Sequence, residues 1–346
     1  MNYFNPEDKL KYELEQRWHK KLADQFPQTK RDLIEEFRYI ENFLNKNKHP
    51  VVTLGAAIAG DGLLTDHGVE HVQMVMKKAA DILGAKVAEL KGYEIFLLLL
   101  AIHFHDVGNI YGREDHEQEI GRAIDELGKS VPLDGIEQRY VVDIATSHGG
   151  YSDKITKDKD TLRHLEIKGF CNGLSIRPTL IAAVLRFADE LADDISRCFG
   201  ISIPKQNEVF HAYSASLEPI CIEGETISFR YHISYEHTQK QLGKGDKTIF
   251  LYDEIKIRLA KCMRELEYCR KYAGDYIGIT TINVIICVMG KGSNRKCAHE
   301  QTFRLRLLGY PEPGCTKFED FLESNRVDNF STGTELKNAM SGGVDA

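Results

Sequence analysis

A histidine and an aspartate stand side by side, His105-Asp106, at the end of the run Ile95-Phe96-Leu97-Leu98-Leu99-Leu100-Ala101-Ile102, which has the composition of a buried helix. Aspartate is almost never fully buried unless it is paired or binds a metal. An imidazole and a carboxylate at the mouth of a core helix therefore point to a divalent cation, for which both are good ligands. The same residue types recur in apolar text elsewhere. His71 lies in His67-Gly68-Val69-Glu70-His71-Val72-Gln73-Met74-Val75, beside Val72, Val75 and Ala79. His116 opens the next helical segment, His148 ends another, and Asp189 lies within Leu185-Arg186-Phe187-Ala188-Asp189-Glu190-Leu191. Each candidate sits on or at the end of a separate helix, and helices packed side by side can converge such groups in a core. Six of the 13 histidines fall between His67 and His148, which concentrates the candidates in one region.

The order His, His-Asp, Asp on successive helices resembles the HD-domain superfamily of metal-dependent phosphohydrolases. The matching text is His71-Val72-Gln73-Met74-Val75, then His105-Asp106-Val107-Gly108, then Leu185-Arg186-Phe187-Ala188-Asp189. The resemblance covers roughly residues 60 to 196 and implies His71, His105, Asp106 and Asp189 as metal ligands. It also implies His116 and His148 as the additional histidines of members that hold a second metal, with Arg113 fitting the pattern of those members. The opening Thr65-Asp66-His67-Gly68-Val69-Glu70-His71 is similar to a subgroup found in bacterial multidomain and defence-linked proteins.

Such a site takes one or two divalent ions, and imidazole with carboxylate suits Mn, Fe, Ni, Co, Zn or Mg with different ease. Coordination lowers the pKa of water from about 15.7 toward about 7, which makes hydrolysis of a phosphoester or phosphoanhydride accessible at neutral pH. Asp106, with two oxygens to share, is the natural bridging ligand if two ions bind. Arg113, Lys154, Lys168, Arg177 and Arg186 are candidate substrate cations. Arg186, as a structural or phosphate-facing cation, and then Arg113 are the foremost and join Asp106 as candidate catalytic residues, although internal salt bridges are an equal reading for both. Other polar residues read more plainly. His67 caps its helix or orients His71, His103 is a core histidine on a different face from His105, and Glu190, Asp193 and Asp194 read as a solvated helix face, with Asp193, one turn beyond Asp189, the one that could instead reach the site.

The elements that must position these groups follow from periodicity. Residues 9–23, 30–45, 94–105, 114–127, 135–147 and 178–196 read as helices, with another beginning near residue 66. Val107-Gly108-Asn109 reads as a glycine-capped helix end. After Pro204 the pattern changes: 209–217, 219–222, 226–234, 281–289 and 303–308 read as strands, the fourth of them central, and 247–272 as a long amphipathic helix. The fold class is α+β: an all-helical metal-binding bundle followed by a small α+β unit. The expected division is 1–55 as an N-terminal helical extension, 56–203 as the metal-binding domain, 204–313 as the accessory unit and 314–346 as a flexible tail.

Of the 346 residues, 42% are hydrophobic and 28% charged, the balance of a globular chain. The net charge of −7 argues against a general polyanion binder but leaves room for a small anion held through metal. The eight cysteines are scattered with no Cys-x-x-Cys pair, and read as reduced thiols. No apolar stretch reads as a membrane span and no signal peptide is evident, so the expected location is cytoplasmic. The expected partner is a phosphorylated small molecule of nucleotide size. Nucleic acid is a further candidate, although no basic stretch with interleaved aromatics suggests a long groove. A homo-oligomer is left open. Two other functions fit the same text: a diiron oxygenase of the same superfamily, and a non-catalytic nucleotide sensor or scaffold.

Overall fold

The computed structural model describes residues 32–52, 68–112, 115–128, 133–152, 155, 158–193, 203–292, 296–308, 316–323 and 330–342. The chain divides into two compact units. Of the described residues, one takes those up to Ala192 together with Cys269–Gly278; the other takes Asp193–Tyr268 and those from Ile279 on.

The first unit is a helical bundle around one apolar helix. α1 (Leu33–Asn47) starts where Asp32 Oδ1 accepts hydrogen bonds from the backbone N–H of Ile34 and Glu35, and it buries Leu33, Ile34, Phe37, Ile40 and Leu44 at helical spacing. α2 (Val69–Leu83) carries His71 in its first turn. α3 (Gly92–Phe104) is buried at every residue, as expected of a helix that is hydrophobic all round. The stretch Gly92–Tyr111 has the length and hydropathy of a membrane span, but 94% of it is buried inside the fold. α3 packs against α1, α2, α5 (Gly135–Thr146) and α6 (Pro178–Glu190), with α4 (Ile120–Leu127) against α5. A short hairpin, β1 (Gly169–Cys171) and β2 (Leu174–Ile176), leads into α6, and Pro178 opens that helix where its missing N–H costs nothing.

The fully buried carboxylate of Glu94 needs a partner, and Arg177 supplies a two-pronged ion pair, Nε–Oε1 2.7 Å and Nη2–Oε2 2.7 Å. Arg177 also donates to the Tyr276 hydroxyl at 2.7 Å. The sequence offered this arginine as a substrate cation; it ties the start of α3 to the start of α6 instead.

The second unit holds α7 (Glu208–Ser216), a four-stranded sheet and a long helix. The sheet order is β3 (Cys221–Glu223), β4 (Thr226–Ile233), β7 (Thr281–Met289), β8 (Cys297–Arg306). β4 and β7 run parallel, from Thr226 opposite Thr281 to Ile233 opposite Val288, and β7 pairs antiparallel with β8. The parallel pair requires a crossover. It consists of α8 (Tyr235–Gln239), the hairpin β5 (Leu242–Lys244) with β6 (Lys247–Ile249), and α9 (Leu251–Ala273). β7 is central, as its near-continuous apolar text predicts.

Three expectations change. The segment 209–217 is helix rather than strand, because Val209, Ala212, Tyr213 and Ser216 are buried at a 3–4 residue spacing that aromatic and β-branched content obscured. The long helix starts at Leu251 rather than 247, since Lys247–Ile249 pairs with β5. Within the segment read as a tail, Phe318 and Phe321 are buried in a 3₁₀ turn, with Phe318 edge-on to Phe303, and α10 (Gly333–Gly342) buries Leu336. The predicted helix over 9–23 and most of the glycine-rich connector lie outside the described residues.

Candidate metal centre

All six candidate ligands belong to the first unit, and the fold brings their donor atoms together. α3 ends at His105, whose Nδ1–H donates to the Ile102 carbonyl at 2.7 Å. A carbonyl only accepts, so a proton stays on Nδ1 and Nε2 is the ring atom that faces the cluster. His148, just past α5, repeats the device: its Nδ1 donates to the Ala145 carbonyl at 2.6 Å. His71 enters from α2 and Asp189 from the last turn of α6.

Asp106 leaves the helix with φ −105° and ψ 1°, and a 3₁₀ turn, Val107–Tyr111, follows. The chain then returns within a few residues. Asp115, in the left-handed region at φ 55°, starts a second 3₁₀ turn, His116–Glu119. Gly108 makes this return possible: a Cβ there would lie 1.9 Å from the His116 carbonyl oxygen. Gly108 does not adopt the left-handed backbone that a helix cap would require, so its role is close approach rather than the predicted capping.

The distances form two groups that share Asp106. His71 Nε2 lies 3.1 Å from Asp189 Oδ1, 3.3 Å from His105 Nε2 and 3.5 Å from Asp106 Oδ2. His105 Nε2 lies 3.3 Å from Asp106 Oδ2 and 3.6 Å from Asp189 Oδ1. On the other oxygen, His116 Nε2 is 3.1 Å and His148 Nε2 3.9 Å from Asp106 Oδ1. Donors about 2.1 Å from one ion stand about 3.0 Å apart at a right angle and about 3.4 Å apart at the tetrahedral angle. The first group fits that range at three of its five distances and is slightly wide at His71–Asp106 and His105–Asp189, and the second fits it at His116 and is wider at His148. The donor set therefore suits a metal: two buried groups, His71–His105–Asp106 and Asp106–His116–His148, could each hold an ion.

Electrostatics in the metal-free cluster point the same way. Burial pulls the His105 pKa down, but Asp106 and Asp189 outweigh it and push the value up to about 10. For Asp189 burial acts to raise the pKa, but hydrogen bonds from His105 and His71 hold the carboxyl well below its usual range. Burial first, and then the charge on His105, lowers His148 to about 4. A proton on His105 thus stands where the carboxylates call for a cation.

The remaining candidates are elsewhere. Nη1 of Arg186 donates to the Lys159 carbonyl at 3.1 Å and to Thr161 Oγ1 at 2.9 Å, and Thr161 Oγ1 donates to the Ser147 carbonyl beside His148. These bonds make Arg186 a support for the loop against the end of α5. Lys168 lies over the Phe170 ring in the hairpin. Asp193 accepts from Ser214 at 2.6 Å and Arg258 at 3.3 Å in the second unit. His103 is buried against His49 at 3.2 Å, on the face predicted for it. Arg113, Lys154, His67 and Asp194 lie outside the described residues.

Two residues were not anticipated. Asn109 Nδ2 donates to both Asp106 Oδ1 and the Asp106 carbonyl, each at 3.0 Å, and so fixes the shared carboxylate. Glu117 Oε2 lies 3.5 Å from His116 Nδ1, on the far side of the ring from Asp106. Gly149 leaves room for that carboxylate, since a Cβ would come 2.8 Å from Glu117 Oε1. The Gly149-Gly150 pair after His148 was the available signal. Beside this end of the cluster lies a cavity of about 580 Å³, lined by Glu117, Arg139, Tyr140, Ser147, Tyr151 and His164 among others.

A family model described as HD-CE matches residues 61–256, more than half of the chain. No curated protein and no solved structure matches it.

Proposed function

The chain belongs to the HD-CE family, and from that premise we propose that it is a metal-dependent phosphohydrolase acting on a nucleotide-sized phosphoester or phosphoanhydride. The observation that carries the reading is the split of the Asp106 carboxylate, with one oxygen toward His71 and His105 and the other toward His116. Divalent metal held there would supply hydroxide at neutral pH and positive charge for the phosphoryl oxygens. The protein's part is to aim Nε2 of His105 and His148 into the cluster through their Nδ1 bonds, to fix the carboxylate through Asn109 and to bury the cluster away from bulk water.

The neighbouring cavity supports the size of the substrate, since small-molecule sites run from about 300 to 1,000 Å³. Its walls carry Asp115, Glu117, Asp143 and Glu166 against Arg139 and His164. Such walls repel a polyphosphate chain and accept hydrogen bonds from hydroxyl and amino groups. The substrate's phosphate belongs at the cluster, and its sugar and base in the cavity. The test is a panel of nucleotides, cyclic nucleotides and short oligonucleotides, incubated with the Mn-loaded protein and assayed for phosphate or phosphomonoester. Hydrolysis of a nucleotide is the expected result. Oxygen-dependent product formation by the iron-loaded protein without phosphate release would replace the hydrolase with an oxygenase. No turnover with any metal would leave a binding protein.

A further inference from the structure

The second unit contains a sulfur-rich group that takes no part in the histidine–aspartate cluster. Cys287 lies on β7, and Cys297 and Glu300 on β8. Along β7 the residues Ile282, Val284, Ile286 and Val288 are buried on one face, so Cys287 belongs to the opposite face, where it is nonetheless almost fully buried. Glu300 pairs directly with Cys287 across the strands. Cys297 is three residues from Glu300, and in a regular strand an odd offset would put it on the other face. The register is broken here: Val288 pairs with His299 but Met289 pairs with Cys297, leaving Ala298 as the extra residue of a bulge. The bulge turns Cys297 onto the face of Cys287 and Glu300, in the way bulges re-aim side chains.

The three donor atoms lie within 4.8 Å of one another, with Cys287 Sγ 3.6 Å from Glu300 Oε2. A tetrahedral ion with sulfur at about 2.3 Å and carboxylate oxygen at about 2.1 Å separates the two sulfurs by about 3.8 Å and sulfur from oxygen by about 3.6 Å. The Cys–Glu pair is already at that distance, and the thiols need to close by no more than about 1 Å. Burial first, then the neighbouring Cys297 and Glu300, pushes the Cys287 thiol up to about 12. His232 stands opposite Cys287 on β4, but its Nε2 is held by Glu218 at 2.5 Å, which leaves three protein donors among the described residues.

We propose that Cys287, Cys297 and Glu300 form a metal site for a thiophilic divalent cation of the zinc class. Binding replaces the two thiol protons, so one M²⁺ enters as two protons leave to solvent, with no redox change. The fourth position belongs to water. The site would clamp β7 to β8 where the bulge weakens their ladder.

The test uses the full chain, reduced and stripped of metal, and titrated with Co²⁺ alone. Thiolate-to-cobalt charge transfer absorbs in the near ultraviolet, and the histidine–aspartate cluster, having no sulfur, produces none of it. The band is expected in the wild type and in a His105→Ala/Asp106→Ala variant, and Zn²⁺ should displace it. Cys297→Ser, at an exposed position, should abolish it, and Glu300→Gln, also exposed, should weaken cobalt binding about tenfold. Absence of the band from the reduced wild type, or its persistence in Cys297→Ser, overturns the proposal. So does a Cys287–Cys297 disulfide that, once reduced, takes up no metal.

Discussion

Asp106 Oδ1 lies 3.1 Å from His116 Nε2, although Asp106 precedes one 3₁₀ turn, Val107–Tyr111, and His116 opens the next. The same carboxylate faces His105 with its other oxygen at 3.3 Å. One side chain thus joins two groups of ligands, and its loss should affect both. Asp106→Ala is expected to reduce bound metal toward zero and activity by more than the roughly 10–100-fold typical of losing an outer-shell partner. Elemental analysis beside a hydrolysis assay checks both, and circular dichroism should retain its helical signal. A variant that keeps its full metal content would contradict the shared role.

Gly108 offers a way to disturb only one side. In Gly108→Ala the new methyl must push the His116 carbonyl away from its 1.9 Å approach. Forcing extra atoms into a packed site costs about 1–3 kcal/mol. The His71–His105 group does not depend on this contact. The expected result is a lower melting temperature, with weaker metal binding at the His116–His148 side than at the His71–His105 side. Unchanged stability and metal binding would mean that the two turns can slide apart freely.

The α3 segment was legible because a helix buried on every side leaves an apolar run in the text, and the polar pair that ends it stands out. The six residues that the fold brings together were legible for the same reason, each being a polar residue in apolar surroundings. The supporting groups were not. Glu117 lies on a charged, exposed-looking segment, and only the three-dimensional closeness of Gly149 shows why it is held there. The partners of Arg177 and Arg186 were not legible, because a cation near a ligand in sequence carries no sign of its partner. Glu94, Lys159 and Thr161 come from segments apart in the chain. The helix at Glu208–Ser216 was hidden by residues that suit either structure, which tertiary packing decided.

Metal uptake should release protons. In the metal-free fold His105 is pushed up to about 10, above its ordinary 6.5, so at pH 7.5 it carries a proton that a ligating imidazole must lose. Roughly one proton per chain should therefore appear when the first ion binds at that pH. Calorimetry in two buffers of different ionisation enthalpy measures it. The sign also sets the stability of the metal-free protein. A raised histidine pKa stabilises the fold fully below the unfolded value, and the benefit fades as pH rises through the folded one. Metal-free protein should thus lose stability between about pH 6.5 and 10, a loss that bound metal removes. Proton release near zero at pH 7.5 would place the ion away from His105.

Glu117 separates orientation from ligation. Its carboxylate faces Nδ1 of His116 while Nε2 of the same ring faces Asp106, the arrangement by which an outer carboxylate fixes the tautomer and raises the basicity of a ligating imidazole. Glu117→Gln keeps the size and the room beside Gly149 but removes the charge. It is expected to weaken binding of the ion at His116 and His148 by about 10–100-fold while leaving the His71–His105 group unaffected. Activity should recover as Mn is raised, which a structural defect would not permit. A loss of activity that no metal concentration restores would instead give Glu117 a direct part in the reaction, through the cavity it helps to line.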